Sequence, residues 1–342
     1  MGRKTVYNPI YTPEKEKLIL QENKDLIKDF LDYLKATDKS PKTIEQYEND
    51  LRIYFIWNLE NNRNANFINI NKRSILMFQN YCINILNVSS ARTRRLRAVL
   101  SSLSNYIENI LDDEYPEFRN IINKIPAPKL EMVREKTILS EDDCKLLLDI
   151  LIENGEYQKA CVLALAINSG SRKSELLRFK VSYFQEENIK YNSLYKTPEK
   201  IKTKGHGTRG KMLNKFVIIK GFQEYLDLWL KKREELNIDN EWLFVTKDKD
   251  IYKQMGVHIL DSWVEQFSNI IKQEFYWHSI RHYFTTMLSK NNIPASVIKD
   301  IIGWGTTNMV DIYIDTEVDD EIEKYFNEDG VKKVEQNNIS NL

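Results

Sequence analysis

Trp277-His278-Ser279-Ile280-Arg281-His282-Tyr283-Phe284 is the stretch whose reading decides the fold. Trp277, Ile280, Phe284 and Met287 recur at helical spacing and mark a buried side, while His278 and Arg281, three apart, share a neighbouring face. Downstream, Pro294 starts a second helix and Gly303 ends it, Trp304 begins a turn, and Tyr313 follows nine positions later within Asp311-Ile312-Tyr313-Ile314-Asp315. Upstream, an apolar helix from Ala160 to Ile167 stops at Ser169-Gly170, and Arg172 emerges at the following turn with Glu175 three residues on. Between the two lies a lysine-rich stretch around Lys204.

These residue types suit one reaction, phosphoryl transfer by an activated tyrosine. A phosphodiester attacked by a phenol builds charge on its non-bridging oxygens, which two arginines hold through rigid forks of donors. A histidine and an indole N–H add donors where that charge develops. A lysine can protonate the departing alkoxide, and the tyrosine becomes the covalent intermediate. Neither a metal nor another cofactor is required. His278 and His282 sit four apart, but the glutamate of a His-Glu-x-x-His motif is missing and Arg281 lies between them, so no metal site is expected. Taken singly, each residue reads as ordinary packing or as a surface ion pair. Order and spacing together are what independent core residues have no reason to reproduce.

The set resembles the tyrosine recombinases, or phage integrases. Their first box, Thr-Gly-Leu-Arg-x-x-Glu-Leu, stands here as Ser169-Gly170-Ser171-Arg172-Lys173-Ser174-Glu175-Leu176, and His-x-x-Arg-His matches His278, Arg281 and His282. Ile302-Gly303-Trp304 fills the place of the usual Leu-Gly-His, with tryptophan as in Cre-like members. The resemblance implies catalytic roles for Arg172, Lys204, His278, Arg281, Trp304 and Tyr313, with Glu175 and His282 in support. The catalytic lysine of the family is carried on a small sheet, here Lys204 with Lys202 as the alternative. Serine in place of leucine at Ser171 and the acids Asp311 and Asp315 beside Tyr313 depart from the pattern. Those departures keep a second reading open, a DNA-binding regulator of the phage-repressor type on the same fold that no longer cuts.

The 342 residues exceed one typical domain, and 42% hydrophobic content supports real cores. There is no apolar run of membrane-span length and no signal-peptide core, so a cytoplasmic, nucleoid-associated protein without membrane contact is expected. Cys82, Cys144 and Cys161 are few, odd in number and far apart, which fits reduced thiols. The net charge of zero hides an uneven distribution. From Glu317 to Leu342 eight acids oppose three lysines, whereas Lys190 to Lys220 holds nine bases, Lys202, Lys204, Arg209 and Lys215 among them, against Glu199. Local basic patches bind phosphate even in a neutral chain.

The expected fold is mainly α with a small antiparallel β-sheet (α+β), in the two-domain DNA-clamping architecture of the resemblance. Residues 1–20 read as a polar leader. From 21 to 124 a helical core-binding domain is expected, with a stripe from Leu26 to Leu34, a helix capped at Ser40-Pro41, and helices near 72–86 and 90–111. Arg92, Arg94, Arg95 and Arg97 cluster at the start of the last and are expected to face phosphates, as are Lys202, His206 and Arg209 around a hairpin tip. Residues 125–136, with two prolines, read as a linker. The catalytic domain spans 137–326, opening on a helix capped by Ser140 and Asp143, with short strands over 188–219. Val318, Ile322, Tyr325 and Phe326 make an apolar stripe among acids, and residues 327–342 read as a flexible tail. The resemblance implies double-stranded DNA as partner, a homo-tetramer on DNA linked by exchange of the C-terminal helix, and room for an accessory DNA-bending protein.

Overall fold

The computed structural model describes residues 10–130, 139–203, 211–304, 306–307, 326–327 and 330–331. The chain divides into two compact units, the first ending near Glu135.

The first unit is helical. α1 (Pro13–Leu18), α2 (Gln21–Ala36), α3 (Pro41–Asn61), α4 (Lys72–Asn80) and α5 (Ser90–Ile110) supply it. Local chemistry sets the boundaries: Ser40 Oγ accepts from the Thr43 N–H at 3.2 Å with Pro41 in the first turn, and Ser89 Oγ accepts from the Arg92 N–H at 3.2 Å. The helix expected over 72–86 is regular only to Asn80. A wider turn, Tyr81–Ile85, finishes it. Phe30, Leu51, Tyr54, Trp57, Phe67, Phe78 and Leu103 fill the core. Ile10 and Ile19 are buried in that core too, so packing starts inside the stretch read as a leader. At the other end Ile125 is buried, and the carbonyls of Ile125 and Pro126 accept from Arg97, which draws the start of the expected linker into this unit.

The second unit is built around α7 (Tyr157–Ser169), whose residues from Ala160 to Ser169 are all buried. α6 (Glu141–Glu153) packs on it, opened by the expected capping box: Ser140 Oγ accepts from the Asp143 N–H and the Asp143 carboxylate accepts from the Ser140 N–H. α8 (Lys173–Leu176) follows at once, and α9 (Gln223–Glu235) covers another side of α7. The strands form separate small antiparallel sheets. β1 (Ile189–Lys190), β2 (Leu194–Lys196) and β5 (Phe216–Ile218) make one, in the order β1-β2-β5, with Tyr195 opposite Val217. β3 (Ile201–Thr203) and β4 (Lys211–Leu213) make a second, and the connection between them carries Lys204, His206 and Arg209 outside the described residues. β6 (Val245–Asp248) and β7 (Ile251–Gln254) form a hairpin that alternation had not revealed. α10 (Val257–Ser262) and α11 (Val264–Ile271) lead to α12 (Trp277–Lys290) and α13 (Ala295–Ile302), both close to the boundaries expected from sequence. Phe326–Asn327 pairs with Gly330–Val331, while the rest of the acidic C-terminal stripe lies outside the described residues. No helix among the described residues is long and apolar enough to cross a membrane.

Candidate active site

Two glycines let the chain turn where the site is assembled. Gly170 ends α7 at φ 55°, and a Cβ there would overlap the Phe284 ring of α12. Gly303 ends α13 at φ 84°, and a Cβ there would overlap Leu213 at the end of β4. At both positions a left-handed backbone and a close neighbour call for glycine.

Arg172 stands at the N-cap of α8, in extended backbone, with its side chain 26% exposed. Glu175 is wholly buried and turns back on it: one carboxylate oxygen accepts from the guanidinium at 2.9 Å and the other from the Arg172 main-chain N–H at 3.2 Å. On the same carboxylate sits Lys215, 1% exposed, its Nζ 2.8 Å from Oε2. That approach falls outside hydrogen-bond angles, so the contact is chiefly one of charge. Burial alone would raise the Glu175 carboxyl. The charge of Lys215, then the charge and hydrogen bonds of Arg172, outweigh burial and hold the carboxyl below its ordinary range. For Lys215 burial prevails: it pushes the ammonium down, Glu175 pulls it back, and the positive charges of Arg281 and Arg172 push it down further.

Arg281 comes from α12 and is 1% exposed. Its guanidinium donates to the Gly170 carbonyl at 2.7 Å and to the Ile302 carbonyl at 3.2 Å, the ends of α7 and α13. Trp304 lies against it, with the guanidinium carbon 5.3 Å from the ring centre, a cation–π distance. His278, one turn before Arg281, is exposed, and its ring meets that of the buried His282 edge-on at 5.4 Å. Arg172, Glu175, Arg281 and Trp304, distant in sequence, therefore converge with Lys215 on one cluster, and the His278–His282 pair stands on the helix that supplies Arg281. Tyr313 lies outside the described residues, as do Lys204, His206 and Arg209.

The other expected DNA contacts divide. Arg94, Arg95 and Lys202 are exposed, and Arg92 and Arg95 both pair with the buried Asp50 carboxylate. Arg97 is a correction: it is buried and donates to the carbonyls of Ile122, Ile125 and Pro126 and to Gln79, so its guanidinium ties α5 to the chain leaving the unit. Arg97 falls on the same helical face as Leu96, Leu100 and Ser104, which places it inside. Lys215 was missed as a site residue, because it counted as one base among nine in a run that read as a solvated or phosphate-facing surface. A signal was there: it stands two positions before Val217, the strand residue on the buried side, and side chains two apart in a strand share a face.

Known proteins resemble the chain in sequence and in fold. The model of the phage integrase family matches residues 137–319. The chain is 33% identical over 250 residues to the SPbeta prophage-derived recombinase-like protein YomM of Bacillus subtilis (strain 168), covering 72% of this chain and 71% of that one. It is 22% identical to the TnP I resolvase of Bacillus thuringiensis, over 77% of this chain and 85% of the relative. Among solved structures, XerH site-specific recombinase bound to palindromic difH substrate shares the fold at a TM-score of 0.62 and 20% identity, over 82% of this chain and 78% of that one. The Tn1549 transposon integrase in complex with transposon right end DNA gives 0.64 at 12% identity, over 87% and 97%. The chain belongs to the phage integrase family, the tyrosine recombinases.

Proposed function

We propose that the chain cuts and rejoins double-stranded DNA at specific sites, with Tyr313 as nucleophile. The phenolic oxygen attacks the scissile phosphorus and the bond to the 5′-oxygen breaks, leaving a 3′-phosphotyrosyl link and a 5′-hydroxyl. Arg172 and Arg281 clamp the non-bridging oxygens, His278 and Trp304 add donors, and Lys204 gives the proton that the leaving oxygen takes up. A second 5′-hydroxyl then attacks the phosphotyrosine, which conserves the bond energy, so rejoining draws on no nucleotide. The observation that carries the reading is the convergence of Arg172, Glu175, Arg281 and Trp304 on one cluster from three separate stretches of sequence. Nothing observed favours the non-cutting regulator.

The roles proposed for Lys204 and Tyr313 rest on their places in the family pattern. Assembly as a homo-tetramer on DNA, with exchange of the acidic C-terminal segment and an accessory DNA-bending protein, belongs to the same proposal. A nicked suicide duplex carrying the chain's own recombination site tests the chemistry. The parent should accumulate a covalent protein–DNA adduct, and Tyr313→Phe should form none while binding the duplex with nearly parental affinity. Adduct persisting in Tyr313→Phe would refute the assignment.

A further inference from the structure

We propose that Lys215 is a positioning residue for strand cleavage, a buried cation that keeps Glu175 ionised so that Glu175 can hold the Arg172 guanidinium toward the phosphate. The inference rests on the function proposed above and adds a residue to it.

The geometry points one way. Glu175 accepts from Arg172 twice, through the side chain and through the main chain, and this fixes the direction of a guanidinium that is otherwise a quarter exposed. A wholly buried carboxylate facing only a partly solvated arginine would tend to take up a proton, and a neutral acid holds an arginine less firmly. Lys215 supplies the second charge, its Nζ 2.8 Å from the carboxylate oxygen that also accepts the Arg172 main-chain N–H. Its backbone is anchored there, with its N–H donating to Thr197 Oγ1 at 3.0 Å and its carbonyl accepting from the Thr197 N–H at 3.0 Å. Among the described residues, the charged groups that act on Lys215 are Glu175 of α8, Arg172 at its N-cap and Arg281 of α12. Both arginines push against the lysine, and among the described residues Glu175 is the anion that offsets them.

Energetics argue against a purely structural lysine. Burying an ammonium carries a large desolvation penalty, and replacing a buried ion pair by apolar groups of similar volume is often neutral or stabilising. Val, Ile or Met would serve the strand as well if packing were all that mattered. A charge kept at this cost beside the proposed clamp points to a use in the chemistry.

The test compares the parent, Lys215→Met, Glu175→Gln and the double variant Glu175→Gln/Lys215→Met in single-turnover adduct formation on the suicide duplex, each across a range of pH. Lys215→Met should lower the rate by roughly 10- to 100-fold, the size of loss that follows when the outer partners of metal ligands are removed. Its DNA affinity should stay near the parental value. The acid limb of its rate profile should move to higher pH, because Glu175 loses the charge that holds its carboxyl down. Since Lys215 acts through Glu175, the double variant should be no slower than the slower single variant. The double variant carries no buried ion at the pair and remains a usable arm if Lys215→Met fails to fold. Parental rates in Lys215→Met at every pH, or losses that multiply in the double variant, would overturn the proposal. If Lys215→Met does not fold, a double variant with the parental rate would do the same. A parent that forms no adduct would instead count against the function on which the inference rests.

Discussion

Arg97 and Arg281 are both buried and both donate to backbone carbonyls, but they sit in different surroundings. Around Arg97 the partners are three carbonyls of the chain leaving the first unit and the Gln79 side chain, which together make a buried staple. Around Arg281 the partners are the ends of two helices, with Trp304 on its face and Lys215 close enough to feel its charge. Arg97→Gln should therefore destabilise the first unit by about 1–3 kcal/mol, the cost of leaving buried carbonyls unpaired, and leave the salt dependence of DNA binding unchanged. Arg94→Ala, at an exposed position on the same helix, should do the reverse: stability held, and the slope of log affinity against log salt reduced by about one. Melting curves and binding titrations at several salt concentrations separate the two. A weaker salt slope for Arg97→Gln would show that its guanidinium reaches phosphate after all.

At the scale of elements, the hairpin of β3 and β4 is held against the α13 turn by a contact that allows no side chain, Leu213 against Gly303. That turn also presents the Ile302 carbonyl to Arg281 and carries Trp304. Gly303→Ala puts a Cβ on a left-handed residue and into Leu213, so it should cost about 1–2 kcal/mol in the second unit. It should also slow adduct formation by more than the stability loss explains, because the hairpin and the Arg281 clamp shift together. Parental adduct rates in a measurably destabilised Gly303→Ala protein would show that the turn is structural only. The helices here were legible from capping and periodicity: Ser40-Pro41, Ser140 with Asp143, and the Trp277 to Met287 stripe mark their own starts in residues close in sequence. The hairpin from Val245 to Gln254 was not, since its strands bury little beyond Val245 and show no alternation to read.

For the molecule as a whole, the buried ion pair makes stability depend on pH with a definite sign. The Glu175 carboxyl is held below its ordinary 4.5 in the folded protein, so its contribution is fully present above that value and is lost as pH falls through the lowered one. The melting temperature of the second unit should fall on acidification below about pH 4.5. The Glu175→Gln/Lys215→Met variant, lacking the pair, should lose that part of the slope, with each kcal/mol of change worth about 2–4 °C for a unit of this size. Identical slopes in parent and variant, read by calorimetry at several pH values, would remove Glu175 from the acid response. The two units have separate hydrophobic cores, so the acid effect belongs to the second one.

The order and spacing of Arg172, Glu175, His278, Arg281, Gly303, Trp304 and Tyr313 were determined by the sequence alone, and so were the family and the mainly helical character, because boxes, caps and periodic stripes are written in residues near one another along the chain. Tertiary structure decided which of many basic residues are buried and whom they face. Arg97 and Lys215 each stand in a run of like charge and read there as surface. They proved internal because the carbonyls that hold Arg97 come from residues 122–126, and the carboxylate that holds Lys215 stands forty positions upstream at Glu175. The energy of a buried charge depends on partners brought together only by folding, and a linear run of lysines and arginines carries no record of them.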